Sequence, residues 1–309
     1  MTAAEPSRQS PAEEVMQIEP AGGILMEELP MAKCRVAAVQ MSTVEKKSQN
    51  VENAAKYIND LMNEVYGPKP DFIVLPEMFN CPYETQNFPF YAEERGELTW
   101  KHMSQLAAHF GVYIIAGSVP EYDENDCVYN TSYVFDREGK EIACHRKVHL
   151  FDIDVKGGQS FKESETLTPG DHFTTFETEF GTMGLCICFD IRFVETYRIM
   201  AERGAKMVFV PAAFNMTTGP AHWELTHRAR ALDNQMYVLA CAPARNEEAS
   251  YVSYGHSMLT DPWGRVVASL DEKEGVLNEE VDLDYVDDIR AQLPILSARR
   301  KDLYELSEK

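Results

Sequence analysis

Three polar or reactive side chains stand where apolar runs stop. Glu77 follows Pro76 in DFIVLPE, Lys147 lies in HRKVHLFD, and Cys188 closes GLCIC. The ends of strands are where α/β folds gather reacting groups. A cysteine attacks a carbonyl carbon as its thiolate, so it needs a base for its proton and a positive group for the oxyanion that forms. Glutamate and lysine meet those two needs, and the trio specifies acyl transfer with no metal and no cofactor. Taken singly, each has an ordinary reading: a small buried hydrophobe for Cys188, a solvated strand-end charge for Glu77 or Lys147. Only their joint pattern points to chemistry.

Neighbouring residues are more ambiguous. Arg192 stands four residues past Cys188, where a guanidinium can hold a carboxylate through two parallel hydrogen bonds or pair internally with Asp190 or Glu195. His145 and His149 flank Lys147 in a strand-like segment without an HExxH pattern, which favours hydrogen bonding over metal ligation. Cys186 with Cys188 makes a CxC that lacks the further ligands of a zinc site. His222, Trp223, Arg228 and Arg230 fit the ion-paired face of an amphipathic helix and receive no catalytic role.

The elements that must position these groups alternate along the chain. RVAAVQM (35–41) and DFIVLPE (71–77) read as buried strands separated by a helix over 50–65, with Asn50 as its cap. A helix over 97–110 closes at Gly111, VYIIAGS follows as a strand, and a hairpin turns at DREG (136–139). The second half repeats this order. MGLCIC, a helix over 194–203, KMVFVPAAFN, a helix over 221–235 and MYVLACA echo the first half, which implies an internal duplication. Strands apolar on both faces must be covered twice. The expected fold is therefore α/β, a four-layer α-β-β-α sandwich with pseudo-twofold symmetry.

The chain has 309 residues, a net charge of −21 and 44% hydrophobic residues, ordinary for a folded protein except in its acidity. That charge argues against nucleic acid and anionic membranes as partners. Its apolar runs are too short for a membrane span. Seven scattered cysteines fit reduced thiols and a cytoplasmic location. Residues 1–33 read as a flexible N-terminal extension and 34–309 as one domain, because no Gly-, Ser- or Pro-rich linker divides the halves.

LPEMFNCPY, HRKVHLFDID and GLCICFDIRFVE, in this order, resemble the nitrilase superfamily of carbon-nitrogen hydrolases from about Cys34 to Leu306. FNMTTGPAHWELTHRARALDNQMYV and PARNEEASYVSYGHSMLTDPWG are similar to segments of its omega-amidases. The resemblance implies that Cys188 is the nucleophile, Glu77 the general base and Lys147 the oxyanion cation, aided by the backbone N–H of Phe189. A second family glutamate matches Glu163, which either transfers protons or orients Lys147. Arg192, Tyr83, Phe214 and Thr218 would line the substrate pocket.

By the same resemblance the fold is the α-β-β-α sandwich, two of which pair as a homodimer. The implied substrates are short 2-oxo dicarboxylate monoamides, 2-oxoglutaramate and 2-oxosuccinamate. Phe189 stands where Tyr is common in the family, and Val194 departs from the usual residue at its position. The alternatives are another branch of the superfamily, such as a nitrilase or an N-carbamoyl amide hydrolase, and a catalytically silent binding protein of the same fold. A glutamine-dependent synthetase is disfavoured, since no nucleotide-binding domain follows the sandwich.

Overall fold

A computed structural model describes residue 1, residues 31–157 and residues 159–309. The first half runs through β1 (Lys33–Gln40), α1 (Lys47–Met62), β2 (Phe72–Val74), α2 (Phe88–Tyr91), α3 (Leu98–Phe110) and β3 (Tyr113–Ile115). Then come β4 (Val119–Tyr122), β5 (Val128–Phe135), β6 (Glu141–Arg146) and a separate small hairpin, β7 (Asp152–Asp154) and β8 (Ser160–Lys162). The second half carries β9 (Thr174–Thr178), β10 (Gly181–Leu185), α4 (Val194–Glu202), β11 (Met207–Pro211), α5 (Gly219–Asn234) and β12 (Tyr237–Cys241). After these follow β13 (Met258–Thr260), β14 (Val266–Ser269), β15 (Gly275–Asp282) and α6 (Asp284–Gln292).

Two main sheets result, ordered β15-β1-β2-β3-β5-β4, with β6 on β5, and β14-β13-β12-β11-β10-β9. Each is built around a parallel trio, β1-β2-β3 in one and β10-β11-β12 in the other, flanked by antiparallel strands. This is the duplication expected from the repeated strand-helix order.

Side-chain alternation divides the apolar strands between layers. Val36, Ala38, Phe72 and Val74 meet Met183, Leu185, Phe209 and Leu239 between the sheets. The intervening residues Ala37, Val39 and Ile73 pack outward on Ile58 and Leu61 of α1 and Met103 of α3. Val208, Val210 and Val238 do the same against Met200 of α4 and Trp223 of α5. Helices thus cover the outer face of each sheet, giving the α-β-β-α sandwich.

Several boundaries differ from the sequence expectation. Helix α1 starts at Lys47, so Asn50 lies inside it and does not cap it. Its side-chain amide instead closes the preceding turn, accepting from Val44 N (2.8 Å) and donating to Val44 O (2.7 Å). Val65 falls beyond the helix and is exposed. In 71–77 only Phe72–Val74 join the ladder, and the chain leaves the sheet before Pro76, which carries no N–H. The extension expected over residues 1–33 lies almost wholly outside the described residues. Met31 and Ala32 already bond to the folded body, through Glu179 O and Leu283 N, and Lys33 opens β1. No described helix is long and apolar enough to cross a membrane.

The turn after β3 is tied to the strand end that bears Glu77. Gly117 has φ +47°, and a Cβ there would sit 2.1 Å from Pro76 O. Gly117→Ala should therefore push the Leu75–Pro76 backbone away, destabilising the fold by more than about 1 kcal/mol. Urea denaturation reads this as a lowered midpoint, and an unchanged midpoint would show that the turn relaxes freely.

Candidate active site

The ends of β2 and β6 bring opposite charges together. Beyond β2 the backbone stays pinned, with Leu75 N bonded to Ile115 O and Met78 N to Ser118 Oγ, so Glu77 points inward. Lys147 leaves β6 with its own N–H on Asn130 O and its carbonyl on Gly170 N. Its ammonium donates to Glu77 Oε1 and to Glu163 Oε1, each at 2.9 Å. All three side chains are fully buried.

Burying two carboxylates requires donors for their other lone pairs. Glu77 Oε1 also accepts from Asn130 Nδ2 (2.9 Å) and lies 3.0 Å from the Tyr83 hydroxyl, while its Oε2 accepts from Ala213 N (2.8 Å). Glu163 Oε1 lies 2.6 Å from the same hydroxyl, and its Oε2 accepts from Phe151 N (2.7 Å). Tyr83 has one proton for two acceptors, so it bridges the carboxylates and shares it between them.

The electrostatics follow from this packing. Burial alone would lower the Lys147 ammonium, but Glu163 and Glu77 hold it above its ordinary range. Burial raises the Glu163 carboxyl against the pull of Lys147, and the charge of Glu77 raises it further. Lys147 is therefore a fixed cation and a poor proton donor.

Cys188 begins a 3-10 turn, Cys188–Arg192, after β10. Its φ of 45° lies in the left-handed region, uncommon outside glycine and a mark of functional turns. It is 4% exposed. Burial pushes its thiol well above the usual range, the charges of Glu77 and Glu163 and hydrogen bonding to Glu77 add to that, and Lys147 opposes them. The next N–H, of Phe189, has no acceptor among the described residues.

The sequence of this protein matches the profile of the Carbon-nitrogen hydrolase family over residues 35–291. The chain belongs to that family. It is similar to Omega-amidase NIT2 of Xenopus tropicalis, 48% identical over 279 residues, covering 90% of this chain and 99% of that one. Omega-amidase NIT2 of Homo sapiens is 45% identical over 280 residues, with the same coverages. Among solved structures, Saccharomyces cerevisiae Nit3, described as a member of branch 10 of the nitrilase superfamily, aligns with a TM-score of 0.81 and 39% identity. It covers 89% of this chain and 98% of its own.

In this hydrolase Glu77, Lys147 and Cys188 come together as their strand-end positions imply, and Glu163, named through the family resemblance, joins them. Arg192 is half-buried, its guanidinium 4.9 Å from the Phe214 ring centre and its Nη1 donating to His222 Nδ1 (3.2 Å). Among the described residues it has no carboxylate partner, so neither alternative internal pair, with Asp190 or Glu195, forms. Thr218 precedes α5 with its hydroxyl on Asn215 Oδ1, and Phe214 packs edge-on against Trp223. His145 and His149 bond to Asp190, and Cys186 lies 3.1 Å from the Tyr197 hydroxyl, away from Cys188's partners.

Two residues escaped the sequence reading. Asn130 is a buried amide in the apolar strand β5, and its signal was polarity at an inward position of VYNTSYVFD. Tyr251, whose ring lies 4.5 Å from that of Tyr83, bonds through its hydroxyl to Ala213 O. It stands three residues from Tyr254, and spacing alone could not say which tyrosine turned inward. Tyr83 itself does more than line a pocket, since it bonds both glutamates. A cleft of about 650 Å³ opens beside Glu77, Tyr83 and Tyr251.

With the thiol held above its ordinary range, the free enzyme carries a neutral Cys188 at pH 7. The thiolate fraction should keep rising with pH where an unperturbed thiol, near pKa 8.5, levels off. Alkylation of Cys188 followed by mass spectrometry from pH 7 to about 10 reads this, and a plateau near the ordinary value would refute it.

Proposed function

We propose that this hydrolase is an omega-amidase, which removes ammonia from the terminal amide of short 2-oxo dicarboxylate monoamides such as 2-oxoglutaramate and 2-oxosuccinamate. The observation that carries the substrate reading is Arg192. A guanidinium without a carboxylate partner among the described residues, flanked by aromatic rings and four residues from the nucleophile, suits a ligand that brings its own carboxylate. The omega-amidase names of relatives 45–49% identical to this chain support the same reading.

In this scheme substrate entry lets Glu77 take the thiol proton as Cys188 sulfur bonds to the amide carbon. Lys147 and the Phe189 N–H stabilise the oxyanion. Collapse breaks the C–N bond, with Glu77 returning the proton to the departing ammonia. Water then attacks the thioester, giving its proton to Glu77, and the carboxylic acid leaves as sulfur regains that proton. Glu163, bonded to Lys147 and Tyr83, orients the cation.

We also propose a homodimer. Leu225 and Leu232, seven apart on α5, and Trp263 are exposed apolar side chains, and a Cβ at Gly264, next to Trp263, would meet Leu232. Seven free cysteines support a reducing, cytoplasmic location.

Ammonia release from 2-oxoglutaramate, glutamine, a simple nitrile and an N-carbamoyl amino acid tests the reaction. The oxo-acid amide should be the preferred substrate, and release from the nitrile or carbamoyl compound alone would overturn the assignment. Arg192→Lys keeps the charge but loses the fork, so KM for the oxo-acid amide should rise about 10-fold or more while Cys188 alkylation persists. Unchanged KM would remove Arg192 from the site.

A further inference from the structure

A third carboxylate, Asp190, lies between the two strand ends that carry the nucleophile and the cation. It is completely buried and has no lysine or arginine partner among the described residues. Four N–H groups satisfy it instead. Oδ1 accepts from the backbone N (2.9 Å) and ring Nδ1 (2.8 Å) of His149; Oδ2 accepts from His145 Nε2 (3.0 Å) and Ile187 N (3.1 Å).

The identity of these donors matters. Ile187 immediately precedes Cys188, whereas His145 and His149 stand two residues before and two after Lys147. One side chain therefore ties the nucleophile's backbone to both flanks of the cation's. Cys188 holds a positive φ, a conformation that persists only where its surroundings impose it. The other end of the same 3-10 turn is anchored separately, by Arg230 donating to the carbonyls of Ile191 (2.6 Å) and Arg192 (2.9 Å).

We propose that Asp190 is a positioning residue that sets the distance and orientation of the Cys188 sulfur and the Phe189 N–H relative to the Lys147 ammonium. It touches neither substrate nor reacting atoms and acts through Ile187, His145 and His149. This deepens the hydrolytic reading above and rests on it. Because Arg230 holds the Arg192 end independently, loosening Asp190 disturbs the chemical step and spares substrate binding.

Asp190→Asn preserves shape but turns an NH2 group toward N–H donors. In the full-length protein, with folding checked by thermal denaturation, kcat for 2-oxoglutaramate should fall at least about 100-fold while KM stays within about 3-fold. A second pair separates hydrogen bonding from bulk. His149 is a quarter exposed and stacks on Phe193, and both His149→Ala and His149→Asn lose that stacking. Only asparagine keeps an N–H near the place of Nδ1, so His149→Ala should lower kcat about 10-fold and His149→Asn should recover most of it.

A folded Asp190→Asn protein with parental kcat, a loss that appears in KM, or equal losses in the two His149 variants would overturn the proposal. If Asp190→Asn does not fold, the His149 pair decides. The parent enzyme's activity on the substrate panel tests the reaction itself, so failure of that reading is seen apart from failure of this one.

Discussion

A single ammonium held between two carboxylates, all three sealed from water, is the constraint around which the rest is arranged. Lys147 compensates Glu77 and Glu163 only because each of their four carboxylate oxygens also accepts from another donor. Breaking such a cluster leaves an unpaired buried charge, a cost of about 3–5 kcal/mol. Its backbone donors come from distant places: Ala213 follows β11 of the second sheet, and Phe151 follows β6 of the first. The charged centre therefore exists only when both sheets have met.

The same sealing governs the thiol. Removed from water and beside Glu77, Cys188 rests neutral, and in the proposed scheme the carboxylate that raises its proton affinity also receives the proton. That scheme couples ionisation to substrate arrival, and the neutral state protects a buried sulfur from casual oxidation, since the thiolate is the reactive form. Tyr83, whose hydroxyl stays protonated because burial raises it, links the two carboxylates and keeps them at a common distance from Lys147.

Much of this was readable in the amino acids. The repeated strand-helix order foretold the duplicated halves and the layered sandwich, because burial on both faces demands uninterrupted apolar strands such as RVAAVQ and MVFVP. Glu77, Lys147 and Cys188 could be picked out because reactive groups at strand ends are conspicuous. What periodicity could not reveal was the wiring of polar side chains across distant segments. Asn130 looked like one polar residue in a strand, Asn50 looked like a cap when its amide closes a turn, and Asp190 was weighed as a partner for Arg192 when two histidines claim it. Such choices depend on which donors lie within about 3 Å after folding, a three-dimensional fact.

The pairing of β1 with β15 over eight residues, Lys33 to Gln40 against Asp282 to Gly275, sets the order in which the molecule can be completed during synthesis. The first strand emerges from the ribosome long before its antiparallel neighbour exists, leaving a hydrogen-bonding edge open while more than two hundred further residues are added. Contacts this remote in the chain form late and slowly, and an open edge invites pairing with other chains. A growing chain therefore carries an unpaired edge on β1 until β15 docks.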